Sequence, residues 1–195
     1  MSLREEILKV SKDLLIDDGF THLSMRKIAA RANVTATSIY LHFENKDDLL
    51  LALIEESIQN LKQELVAEIE SSKDFETQLE DLANAYIRFA LENPKEYEII
   101  YMVRPEEMPR FPKEKFQQIR GAYRMLARVL GSEELEDGKQ SEASMIGVYT
   151  LWAQLHGVVS VILNKRLDTR VDRHQFIRNA VEHIVQGFIT RKTPA

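Results

Sequence analysis

The side chains best suited to chemistry in this 195-residue chain are short and polar, and they cluster. Thr35, Ala36 and Thr37 open one short helical segment, Tyr40 and Leu41 follow a turn later, and Lys46 comes soon after. Small residues at the start of a helix let its backbone come close to the floor of a DNA groove. A threonine hydroxyl donates or accepts a hydrogen bond at a base edge, and its methyl group can meet a thymine methyl. The Tyr40 hydroxyl suits a backbone phosphate. Lys46 adds a cation where the first N–H groups of a following helix already favour an anion. Phosphate contacts of this kind fix register, and the threonines supply sequence preference. Ser24, Arg26 and His42 complete the candidate DNA-contacting set.

The elements that must position these residues are legible around them. Ser24 to Lys46, SMRKIAARANVTATSIYLHFENK, reads as two short helices joined by a tight turn and followed by the start of a third. Ile28, Ala32, Val34 and Ile39 fall where such a pair needs a buried seam, and Ala29 is small where the second helix crosses the first. This is the layout of a helix-turn-helix, whose second helix enters a major groove. The alternative is a plain three-helix subdomain with a solvated polar face. Ser24 is a good N-cap. Asn33, at the turn, tolerates positive φ better than most residues.

The rest of the chain has helical period and no alternating strand pattern. Leu3 to Asp17 forms a first helix that Asp18-Gly19 ends. Asn45 caps a long helix that runs to about Ser71, with Leu49, Leu50, Leu53, Ile54, Ile58, Leu61 and Leu65 on one side. Further helices are predicted over 75–91, 95–103, 113–130, 142–164 and 172–190. Asn93-Pro94 breaks the first two of these apart. Pro105, Pro109 and Pro112 make a non-helical excursion, and 131–140 reads as a loop. The prediction is an all-α chain of about nine helices. Residues 1–48 would be a helix-turn-helix domain, and 49–195 a larger helical bundle.

Composition narrows the function. There is no cysteine, so disulfides, thiolate zinc sites and cysteine nucleophiles are excluded. His22, His42, His156, His174 and His183 show no metal-ligand spacing. There is no phosphate loop, dinucleotide glycine motif or nucleophile elbow. No catalytic residue, metal or cofactor is therefore expected. Glu92, Glu96 and Glu98 lie near a helix break and read as solvated surface glutamates. MSLREEILKVSK lacks the apolar run of a secretory signal, and no window approaches an uninterrupted membrane-spanning length. The expected location is cytoplasmic, with no membrane partner.

Net charge is −5, which looks wrong for a nucleic-acid binder until its distribution is considered. Between Ser24 and Lys46, Arg26, Lys27, Arg31 and Lys46 face Glu44 alone. Glu64, Glu68, Glu70, Asp74, Glu76, Glu80 and Asp81 face only Lys73, and read as a solvated acidic face pointing away from phosphate.

The stretch GFTHLSMRKIAARANVTATSIYLHFENKDDLL resembles the N-terminal DNA-binding domain of the TetR family of bacterial repressors. The resemblance rests on Gly19-Phe20, Ser24, Ile28-Ala29, Val34, Ile39-Tyr40, His42-Phe43, Asn45-Lys46 and Leu49, in about the first quarter of the chain. Asn33 stands where the family usually has glycine. The resemblance implies that Tyr40 and Lys46 contact phosphate and that Thr35 to Thr37 face the groove. It also implies a ligand-sensing, dimerising remainder. Trp152, His156 and Gly157 resemble a Trp…His-Gly signature of one group of such domains. The last two helices would pair with their counterparts in a homodimer. Two recognition helices could then reach half-sites of a two-fold symmetric operator about 34–36 Å apart, or a multiple of that. An effector in the core would alter that separation and release the DNA.

Candidate effector-lining residues are Tyr86, Phe89, Tyr97, Tyr101 and Met102, then Phe116, Tyr123, Trp152 and His156. As a set they suggest a small, mainly apolar effector, whether aromatic or lipid-like. Taken singly, each reads first as ordinary core packing. The rival to a ligand-responsive repressor is a helical small-molecule-binding protein that does not touch DNA.

Overall fold

The computed structural model describes residues 2–19, 22–69, 74–102, 121–131 and 141–192. Among these residues the protein forms nine helices and no strand. They are α1 (Leu3–Asp18), α2 (Met25–Arg31), α3 (Ala36–Tyr40), α4 (Lys46–Glu68), α5 (Phe75–Glu92), α6 (Pro94–Met102), α7 (Gly121–Val129), α8 (Glu142–Leu163) and α9 (Arg173–Lys192). The expected excursion through Pro105, Pro109 and Pro112, the 113–120 part of the following helix, and most of the 131–140 loop lie outside the described residues.

Short polar side chains set the helix ends. Ser2 and Glu5 form a capping box at the start of α1, and Gly19 closes that helix at φ 76°. Ser24, Thr35, Asp74 and Ser141 each accept a hydrogen bond from a backbone N–H of the helix that they precede. Asn45 does the same for α4, accepting from the Asp48 N–H at 3.0 Å. Pro94 opens α6, where its missing N–H costs nothing.

Packing divides the chain into two units. The first contains α1, α2, α3, α4 as far as Asn60, and α6 from Lys95 onward. Its core includes Ile7, Leu15, Ile28, Ile39, Phe43, Leu49, Leu50 and Leu53. The second contains the end of α4 from Leu61, with α5, α7, α8 and α9. Leu79, Leu82, Tyr86, Leu126, Leu151, Leu155, Val159, Val181 and Ile184 fill its core.

The return of α6 to the first unit is not a local sequence effect. Lys12 of α1 donates to Glu96 at 3.0 Å, and Asn60 of α4 donates to the other Glu96 carboxylate oxygen at 2.9 Å. Lys95 pairs with Asp13 at 3.1 Å. Glu96 is therefore not the solvated glutamate that the sequence suggested. It is a largely buried acceptor shared by two helices.

One helix, α8, is long and apolar enough, by length and composition, to cross a membrane. Ser144, Thr150, Gln154, His156 and Ser160 interrupt its apolar surface, so it has no uninterrupted apolar run. Its buried Val148, Leu151, Leu155, Val158 and Val159 fall on one side and pack in the second unit.

The turn between α2 and α3 depends on Asn33, which sits at φ 54°. A β-branched side chain is strained there, and a residue without Cβ is not. Asn33→Val is expected to lower unfolding free energy by about 1–2 kcal/mol, while Asn33→Gly stays near wild type. Denaturant unfolding of the two variants checks this, and equal midpoints would contradict it.

Candidate nucleic-acid interface

Backbone bonds close the turn that follows α2 and leads into α3. Ala32 N donates to Ile28 O at 2.8 Å and Val34 N to Ala29 O at 3.0 Å. Ala29 and Ala32 are buried, and their small side chains let the helices approach. Of the five residues of α3, only Ile39 is buried. The helix is thus anchored on one side by a single branched apolar group, and its other side is free to meet a partner.

That free side carries most of the residues expected to contact DNA. Thr37, Tyr40, Leu41 and His42 are exposed, and Ala36 is half-buried. Leu41 is 81% exposed and Tyr40 53%, an unusual cost for apolar surface unless something covers it. His42 is among the exposed residues that follow α3. Thr35 is exposed, but its hydroxyl is occupied locally. It accepts from the Ser38 N–H at 3.1 Å and lies 2.8 Å from the Ser38 hydroxyl. Ser24 likewise caps α2, accepting from the Lys27 N–H at 3.3 Å. Thr37 is the threonine whose hydroxyl has no such local role among the described bonds.

Charge around the helix pair is sorted by ion pairing. Lys27 pairs with Asp18 at 3.1 Å, so part of the basic cluster is neutralised within the protein. Arg26 and Arg31 are exposed, and Lys46 is half-buried at the first position of α4. One cation that the sequence reading did not single out lies here too. The Arg4 guanidinium carbon sits 5.3 Å from the centre of the Phe43 ring.

The candidate effector residues that the structure describes belong to both units. Tyr97 and Tyr101 belong to α6 in the first unit, with ring centres 4.8 Å apart. Trp152 and His156 belong to the second unit, where their rings stack at 5.1 Å. Burial of the His156 imidazole pushes its pKa below the usual histidine value, which favours the neutral ring. Tyr86 and Phe89 are buried in α5 as core side chains. Phe116 and the side chains of Met102 and Tyr123 lie outside the described residues.

Comparison with known proteins places this arrangement. Residues 79–184, more than half of the chain, match the Tetracyclin repressor-like C-terminal domain. Residues 7–53 match the tetR family of bacterial regulatory proteins. Over 92 residues the chain is 34% identical to an uncharacterized HTH-type transcriptional regulator from Haemophilus influenzae, covering 47% of this chain and 49% of that protein. Over 98 residues it is 26% identical to the HTH-type transcriptional activator FasR from Mycolicibacterium smegmatis, covering 50% of this chain and 45% of that one. The chain thus spans about half the length of these curated relatives. Its fold is shared with the fatty acid degradation regulator FadR from Bacillus halodurans, at a TM-score of 0.71 and 19% identity over 93% of this chain and 94% of that one. The helix-turn-helix at its N-terminus and the matched C-terminal domain make this chain a DNA-binding transcription regulator rather than an enzyme, and it belongs to the TetR family.

Proposed function

We propose that the protein is a ligand-responsive repressor that binds a two-fold symmetric operator as a homodimer and leaves it when a small, mainly apolar effector binds. The observation that carries this reading is the orientation of α3, which buries Ile39 and exposes Thr37, Tyr40 and Leu41. Residues 1–48 would read the operator. Residues 49–195 would sense the effector and dimerise.

The dimer reading is supported by the last two helices. On α8, Met145, Ile146 and Tyr149 are exposed, and a second copy of this chain would cover them. The effector reading is supported by the Trp152–His156 stack, an aromatic, mainly neutral surface. The fold shared with a regulator of fatty acid degradation supports an acyl-chain compound over a planar aromatic one. A DNA partner accords with a cytoplasmic location.

Selection of bound fragments from random duplex DNA tests the proposal. A two-fold symmetric consensus is expected, and absence of any enriched duplex would sink the reading. With that operator in hand, Thr37→Ala should change base preference at one position of each half-site by about fivefold, the low end for a single side-chain contact. Overall stability should stay within about 0.5 kcal/mol of wild type, as expected for a surface change. Thr35→Ala is the less clean variant, because it also removes a cap worth about 1 kcal/mol. Unchanged preference in Thr37→Ala would remove that residue from the reading surface.

A further inference from the structure

We propose that Arg4, in the first turn of α1, is an additional contact to the phosphate backbone of the operator. This rests on the reading of α3 as a recognition helix and adds a residue from a different helix to the same interface.

Three observations place the cation. The Arg4 guanidinium carbon lies 5.3 Å from the centre of the Phe43 ring. Phe43 is itself fixed: it is 2% exposed, and its N–H donates to Ile39 O at 3.0 Å. It stands three residues after Tyr40 and three before Lys46. Arg4 is therefore held at the same end of the recognition helix as the two residues expected to touch phosphate.

The second observation is the absence of a competing acid. In the same unit Lys12 pairs with Glu96, Lys27 with Asp18 and Lys95 with Asp13. Among the described residues no carboxylate pairs with Arg4, and Arg4 is exposed. Its neighbour Glu5 turns its carboxylate to the Ser2 N–H at 2.8 Å, as half of the capping box. In a chain of net charge −5, an unpaired cation seated on a ring is conspicuous.

The third is chemical. A guanidinium over an aromatic face is attracted by the ring quadrupole, while its N–H groups remain able to donate. The ring thus limits where the long side chain wanders, and a phosphate oxygen is the acceptor that a duplex supplies. A lysine would keep the charge and lose the planar fork.

The test is salt dependence of binding by the full chain to a duplex that carries the selected consensus. Arg4→Gln should weaken binding about tenfold at moderate salt. It should also flatten the slope of log affinity against log salt by about 0.9 for each protomer that loses a phosphate contact. Arg4→Lys should restore most of the slope. A merely structural arginine could change affinity but would leave the slope where it was. Wild-type binding with an unchanged Arg4→Gln slope would overturn the contact and leave the DNA reading intact. Failure of the wild type to bind any duplex would overturn both. Thermal melting of both variants guards against misfolding, and if Arg4→Gln melts early the slope of Arg4→Met, which removes the charge and keeps an apolar stem against Phe43, decides the matter.

Discussion

Ile39→Ala is expected to weaken operator binding severely while leaving the second unit folded. A helix of five residues has almost no stability of its own, because its nucleation cost is not recovered over so short a length. What keeps α3 in place is burial of one side chain, Ile39, which is 0% exposed. Truncating a buried isoleucine to alanine costs about 2–5 kcal/mol. A local element held by that single anchor loses its position well before the whole chain unfolds. Affinity for the selected duplex, measured by fluorescence anisotropy, should fall by at least about thirtyfold, the lower end of that cost at about 1.4 kcal/mol per factor of ten. Amide exchange should quicken over 33–43 and stay unchanged in α8. Ile39→Val should be mild, near 0.5–1.5 kcal/mol. Wild-type affinity in Ile39→Ala would show that α3 is held by something other than this residue.

The contrast between local and distant information explains what could be read from the sequence. The first four helices and their punctuation were legible because each signal acts over a few residues. Ser24 caps the second helix, Asn33 takes the left-handed conformation, and Asn45 caps the fourth, all as their types predict. Ile39 inward and Tyr40 outward follow from the same short-range period.

What was not legible depends on pairs far apart in the chain. Glu96 and Lys12 are separated by 84 residues, and no periodicity links them. Without that contact, Glu96 looks like its neighbours Glu92 and Glu98. The same holds for Lys27: counted in sequence it adds to the basic cluster, but Asp18, nine residues earlier, takes up its charge. Arg4 was overlooked because its partner ring lies across the unit, on Phe43. The effector set was drawn from residue type, which cannot separate Tyr97 and Tyr101 on α6 from Trp152 and His156 on α8. Their assignment to different units came only from packing.

The long-range pairing leads to the second large effect. Glu96→Ala is expected to destabilise the first unit by about 1–3 kcal/mol, the cost of leaving largely buried polar partners without their acceptor. Two groups lose it together: the Lys12 ammonium and the Asn60 amide. Lys12 and Glu96 side chains are each 18% exposed, so solvent screens this pair less than it screens Lys95–Asp13. Glu96→Gln separates the contributions. Its amide oxygen can still accept from Asn60, whereas the attraction to Lys12 is lost, so an intermediate cost is expected. A double-mutant cycle with Lys12→Met isolates the pair and should give a coupling of about 1 kcal/mol. Denaturant unfolding of the full chain supplies the energies. Faster amide exchange in α1 and α6, with α8 and α9 unchanged, would localise the damage. Such a result would make Glu96 the residue that seats α6 on α1 and α4, and a Glu96→Ala variant within about 0.5 kcal/mol of wild type would show that apolar burial of Tyr97 and Ile99 suffices to hold it there.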